Sequence, residues 1–122
     1  MTSPKDRRTH PRVDERLILS VADATGTIQA ETKNLSATGV YCALQTFLPP
    51  MTKLQLEFEL PVGQRRVRVR CEGVVVRVDP VVTTESTARY HTGIWFNELS
   101  LRDREAIASY VRQRLAKHPP TP

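Results

Sequence analysis

Leu54, Leu56, Phe58 and Leu60 alternate without a break with Gln55, Glu57 and Glu59. Only an extended strand, whose side chains point to opposite faces in turn, converts a period of two into one apolar and one polar face. Pro61-Val62-Gly63 then reads as a turn, and the alternation resumes. Val67, Val69 and Cys71 point inward, and Arg66, Arg68 and Arg70 point out.

Other segments supply further strands. Leu17, Leu19 and Val21 alternate with Ile18, Ser20 and Ala22, Asp23-Ala24-Thr25-Gly26 supplies a turn, and Thr27–Lys33 returns as a second strand. Val40–Leu44 is a third, entered through an Asn34–Gly39 turn and ended by Pro49-Pro50. After Gly73 the apolar phase passes to Val74, Val76 and Val78 against Val75, Arg77 and Asp79. A glycine at such a parity slip predicts a β-bulge, the device that bends a sheet into a barrel. Pro80–Thr87 reads as a polar loop and Arg89–Asn97 as a sixth strand carrying Ile94, Trp95 and Phe96.

Near the C-terminus the period changes. Ser100-x-x-Asp103 resembles a capping box with Asp in place of Glu. Leu101, Ile107, Tyr110, Val111 and Leu115 then follow helical spacing up to Lys117. The expected fold is mainly β: a six-stranded antiparallel β-barrel over residues 13–117, its open end closed by a C-terminal α-helix. A flexible basic N-terminal arm, residues 1–12, precedes it, and residues 118–122 form a tail.

At 122 residues the chain fits one domain with a modest core. Its net charge of +5 favours anionic partners. Lys5, Lys33, Lys53 and Lys117 are the lysines among 18 basic side chains, and the other fourteen are arginines, which suits planar ligands gripped by a fork. Cys42 and Cys71 lie far apart among apolar residues with no CxxC or Cys/His cluster, so both read as small core residues and no metal is called for. No window approaches the roughly 18 or more apolar residues of a membrane span. The polar N-terminus lacks the apolar stretch of a signal peptide, so a cytoplasmic protein with reduced thiols is expected, without membrane insertion.

Two short motifs carry the functional signal. Arg8-Thr9-His10-Pro11-Arg12 lies in the arm, and Asn34-Leu35-Ser36-Ala37-Thr38-Gly39 follows about twenty residues later. RxxxR alone is weak, since it occurs three times in this Arg-rich chain; the order and context of the pair are what count. The pair, RxxxR followed by Asp/Asn-x-Ser-x-x-Gly, resembles the signature of the PilZ domain family, bacterial receptors for the second messenger cyclic di-GMP. Arg8, Arg12, Asn34, Ser36 and Gly39 match it, Gly93-Ile94-Trp95-Phe96 is similar to the family's late strand, and the resemblance covers roughly residues 7–115. It implies a six-stranded barrel with a C-terminal helix, a cyclic di-GMP ligand and no cofactor. It also implies control of motility, exopolysaccharide synthesis or biofilm formation through a downstream protein partner. In the family a basic residue at the position of Arg7 accompanies a stacked, intercalated ligand dimer.

The residue chemistry agrees. Guanine presents O6 and N7 on one edge, which an Arg fork meets with two parallel hydrogen bonds. Guanidinium also stacks on bases and neutralises phosphate. Asn34 offers an amide oxygen to guanine N1–H or N2–H₂, Ser36 a compact donor and acceptor, and Gly39 permits positive φ and close backbone approach. The bland readings are a solvated basic tail and an ordinary Asx-type turn.

Arg77 is read mainly as a surface charge that could reach a phosphate. The Arg66, Arg68 and Arg70 stripe reads as a solvated face that discourages edge pairing. Of Trp95 and Phe96, at least one is expected inside the barrel. His10, His91 and His118 have no Cys or carboxylate companions in sequence, Ser36 has no base nearby, and no enzyme is expected.

The leading expectation is a cyclic di-GMP receptor or adaptor that orders its arm on binding and presents a changed surface to a partner. Two alternatives stand beside it. One is a small basic barrel binding single-stranded nucleic acid, disfavoured by few aromatics, one Trp, three Tyr and three Phe. The other is a ligand-free adaptor docking through the Arg66–Arg70 stripe or the helix.

Overall fold

A computed structural model describes residues 17–82 and 88–117. Six strands, β1 (Ile18–Asp23), β2 (Gly26–Leu35), β3 (Gly39–Leu44), β4 (Lys53–Val62), β5 (Arg65–Val82) and β6 (Ala88–Glu98), precede one helix, α1 (Leu101–Lys117). They form a closed antiparallel barrel in the order β1-β2-β3-β6-β5-β4, with β1 pairing back onto β4. The expected basic arm, the expected tail, and most of the expected Pro80–Thr87 loop lie outside the described residues. β5 runs through Pro80 to Val82, so the loop begins later than the polar composition suggested.

The alternation read from the sequence holds for β4, whose Leu54, Leu56, Phe58 and Leu60 are all buried. Leu19, Val21, Val69 and Cys71 meet them from the neighbouring strands, and Phe58 stacks on Phe96 with ring centroids 6.1 Å apart. Ile107, Tyr110 and Val111 of α1 join the same core. Leu101 does not: it is exposed at the start of the helix. The helix starts where expected, with the Asp103 N–H donating to Ser100 Oγ at 3.1 Å, an N-cap worth about 1 kcal/mol.

The register does shift at Gly73, but the extra residue lies on the partner strand: Glu72 pairs with Glu98 and Gly73 with Phe96, leaving Asn97 of β6 over. Val69, Cys71, Gly73 and Val75 are all buried, so the inward phase passes through the glycine unbroken. Gly73 also serves packing: an added Cβ would lie 2.6 Å from Ile94 Cγ2 and 2.8 Å from Leu56 Cδ1. The bulge on β5 falls at Val76, where Val75 pairs with Ile94 and Arg77 with Gly93. Val76 therefore faces outward and is exposed, and the inward phase restarts at Val78. A third irregularity lies on β2, where Thr32 pairs with Cys42 and Asn34 with Tyr41, leaving Lys33 over.

Both cysteines are free and buried. Burial pushes each thiol up to about 12, with the charge of Asp103 adding at Cys71. Unfolded thiols ionise near about 8.5. Between the two values the folded chain keeps protons that the unfolded chain has lost, so this contribution is present at lower pH and declines as pH rises. The urea midpoint should fall as the pH is raised from about 8.5 to about 10.5, and Cys42→Ala should make that fall smaller. An identical decline in both proteins would exclude Cys42 as a source. Among the described residues no helix is long and apolar enough to cross a membrane.

Candidate ligand-binding cleft

The bulges at Lys33 and Val76 have one effect in common. On β2, Ala30 and Thr32 point inward, so an unbroken strand would bury Asn34 as well; the extra residue Lys33 turns Asn34 out and Leu35 in. On β5, Val75 points inward and Val76 does the same for Arg77. The ladder then aligns Asn34 with Tyr41, Tyr41 with Gly93, and Gly93 with Arg77, one outward row across four strands.

This row floors an open cleft of about 620 Å³, walled by Thr38 and Trp95. Gly93 leaves its centre without a side chain. Trp95 is 59% exposed, whereas its neighbour Phe96 is buried, which fulfils the expectation that one of the two enters the barrel. Arg77 and Tyr41 converge on one carboxylate. Arg77 Nε lies 2.8 Å from Asp79 Oδ2, and Tyr41 OH donates to the same oxygen at 2.8 Å. Gripped through Nε, Arg77 keeps its two terminal NH₂ groups for another acceptor. Tyr41 also meets His91 edge-on, with centroids 5.7 Å apart. Burial, and then the charge of Lys33, hold the His91 pKa below its ordinary value and favour the neutral ring.

The remaining motif residues shape the turn between β2 and β3. Ser36 is wholly buried. Its N–H donates to Gly39 O at 2.9 Å, and its hydroxyl lies 3.1 Å from Thr38 Oγ1 and accepts from Thr38 N–H at 3.2 Å. Gly39 does not have the positive φ expected of it; among the described residues only Gly26, Gly63 and Met51 do. What requires glycine is space, since a Cβ at 39 would lie 2.5 Å from the carbonyl oxygen of Ile94. Thr38 O in turn accepts from Phe96 N–H at 2.9 Å, stitching the turn to β6.

Arg7, Arg8 and Arg12 lie outside the described residues. Their chain is nevertheless anchored beside the cleft. Leu17 N–H donates to Thr32 Oγ1 at 2.9 Å, and Thr32 N–H to Leu17 O at 3.0 Å, two residues before Asn34. From Leu17 a chain reaches at most about 18 Å to Arg12 and about 32 Å to Arg8.

Sequence reasoning did not single out Tyr41, and it left Arg77 and Trp95 at the margin. Their common signal was parity: Tyr41 alternates with Val40 and Cys42, and Trp95 with Ile94 and Phe96. The bulge at Val76 hid the third member.

The barrel has solved counterparts. It superposes on the Bacillus subtilis inhibitor of motility MotI/DgrA with a TM-score of 0.79 at 22% identity, covering 93% of this chain and 54% of that one. For the K. pneumonia MrkH–c-di-GMP complex the TM-score is 0.66 at 19% identity, over 91% and 53%. For the PilZ domain of Escherichia coli YcgR with c-di-GMP it is 0.62 at 16% identity, over 94% and 99%. The chain thus spans about half the length of MotI and MrkH and nearly all of the isolated YcgR domain. No curated protein sequence matches it. Likenesses at such low identity speak for the fold. The sequence itself fits the PilZ domain profile from residue 6 to residue 113, a span that takes in both motifs and most of the helix, and the chain belongs to the PilZ domain family.

Proposed function

We propose that the protein is a cytoplasmic receptor for cyclic di-GMP that passes the signal to a partner protein. The observation that carries this reading is the cleft in which Asn34, Arg77 and Trp95 converge beside the anchored root of the Arg-bearing arm. Family membership supports it, as do the c-di-GMP complexes of YcgR and MrkH.

Asn34 accepts from the guanine Watson–Crick edge, Arg77 faces a phosphate, and the exposed indole of Trp95 stacks on a base or ribose. Ser36 and Gly39 serve the ligand by fixing the turn that carries Asn34. Arg8 and Arg12 close from the other side, reading O6 and N7 or holding phosphate. Arg7 adds the charge that a second, stacked messenger with its own two phosphates calls for. Binding then fixes the arm over the ligand, biased by the ligand's preference for the closed state.

Calorimetric titration with cyclic di-GMP tests the reading. Heat is expected at micromolar messenger, with two ligands per chain in the native protein and one in Arg7→Ala. No heat at saturating concentrations would remove the receptor function, and a ratio of one in both proteins would remove the stacked pair.

Trp95 offers a separate check, since it is the one tryptophan of the chain. Messenger should change its fluorescence in proportion to occupancy. Trp95→Ala should weaken binding by about 1–3 kcal/mol. It should leave thermal stability unaltered, because the side chain packs against little of the core.

A further inference from the structure

Register divides the arginine stripe of β5 into two halves with different surroundings. Arg68 and Arg70 share Glu57 of β4, at 3.6 and 3.0 Å. Arg66 and Arg65 face Pro61 and Val62 across the ladder instead. Among the described residues no ion pair joins either of them to a carboxylate. They belong to a second basic surface, whose other half is α1.

There Arg102 and Arg112, ten residues and about 15 Å apart along the helix axis, join Arg65 and Arg66 around a groove of about 760 Å³ between α1 and the β4–β5 hairpin. Gly63 N–H, at the tip of that hairpin, donates to Gln113 Oε1 at 3.2 Å, so the two walls are tied together without any ligand. Arg102 sits in the first helical turn, where the helix dipole disfavours a cation. Its contact with Asp103 is long, at 3.9 Å. Four exposed guanidiniums gathered here do nothing for the core, and their mutual repulsion opposes folding.

We propose that this groove docks an acidic, partly apolar segment of another protein. Charge complementarity selects the acidic character, and Val62, Val67 and Ala106 in the lining select apolar side chains between the carboxylates. A nucleic acid fits less well, because no aromatic lines the groove for base stacking and Glu105 stands within it. A second copy of this chain, itself at +5, meets the groove with the wrong sign. The groove shares no lining residue with the cleft, so the inference stands apart from the messenger reading.

The test uses the full chain and a fluorescein-labelled peptide of Glu and Leu, with Leu at helical spacing and about 16 residues long, enough to span the groove. Fluorescence anisotropy compares Arg66→Glu/Arg112→Glu with Arg89→Glu/Arg104→Glu, a pair of exposed arginines outside the groove with the same change in net charge. The groove pair should weaken binding at least about tenfold and the control pair by less than about twofold. Arg66→Gln/Arg112→Gln, measured in parallel, should weaken binding in the same order without adding repulsion, which keeps the result readable if the Glu variant fails to fold by circular dichroism. Equal losses in the groove and control pairs would reduce the effect to net charge and overturn the proposal. So would the absence of binding by the native protein, or displacement of the peptide by a lower concentration of oligothymidylate of equal charge.

Discussion

Alanine at Arg12 should weaken cyclic di-GMP binding by about 1–3 kcal/mol, or roughly ten- to a hundredfold. The same loss is expected at Arg8, and removing both should take binding out of the micromolar range. Each guanidinium supplies a bidentate contact to a guanine edge or a charge on phosphate that no neighbouring group replaces. Arg12 stands five residues before the anchored Leu17, well within reach of Asn34. Arg8→Lys should recover only part of the loss, because an ammonium is a point charge without the planar fork. The unliganded thermal midpoint should stay put, while the rise that saturating messenger gives the native protein should vanish in the double variant. Full affinity in Arg8→Ala and Arg12→Ala would mean that the arm takes no part in binding.

Gly39→Ala should be the most damaging single methyl group in the barrel. Its Cβ would be built 2.5 Å from the Ile94 carbonyl oxygen, an atom fixed in the β3–β6 ladder. The strands must separate to admit it, at a cost of about 2–3 kcal/mol, or roughly 10 °C in the thermal midpoint. Messenger affinity should drop with it, since the same displacement moves the turn that carries Asn34. Gly73→Ala provides the contrast. The obstructing atoms there are the ends of the Ile94 and Leu56 side chains, which are able to rotate away, so about 1 kcal/mol is expected. A thermal melt of the two variants side by side decides the matter: if Gly39→Ala is the milder one, the steric account of the motif glycine is wrong.

Much of the barrel was legible because strict alternation and turn residues dominate β1, β4 and the first half of β5. The bulges on β2 and β5 were not, for a reason visible in particular residues. On β2 the inward position before the slip is Thr32, a hydroxyl residue that reads as outward-facing although it is buried. On β5 Gly73 and the three valines after it fit either phase, so the glycine marked the register shift whose extra residue is Asn97 of β6, while the bulge at Val76 left no mark. Since the bulges on β2 and β5 turn Asn34 and Arg77 toward the same cleft, the motif residues could be named from sequence while the surface joining them to Tyr41, Gly93 and Trp95 could not. The turn told a similar story: glycine at 39 was recognised, but its reason was a carbonyl on a strand more than fifty residues away.

Because β1 returns to hydrogen-bond with β4, the barrel closes and none of its described strands is left at an edge of the sheet. A neighbour therefore has no ladder to prolong, and strand addition, a frequent route for binding extended peptides, is closed to this wall of the molecule. Whatever recognises the domain must do so through side chains standing on a rigid cylinder. The same closure guards against self-association, since two such cylinders have no raw edges with which to zip together.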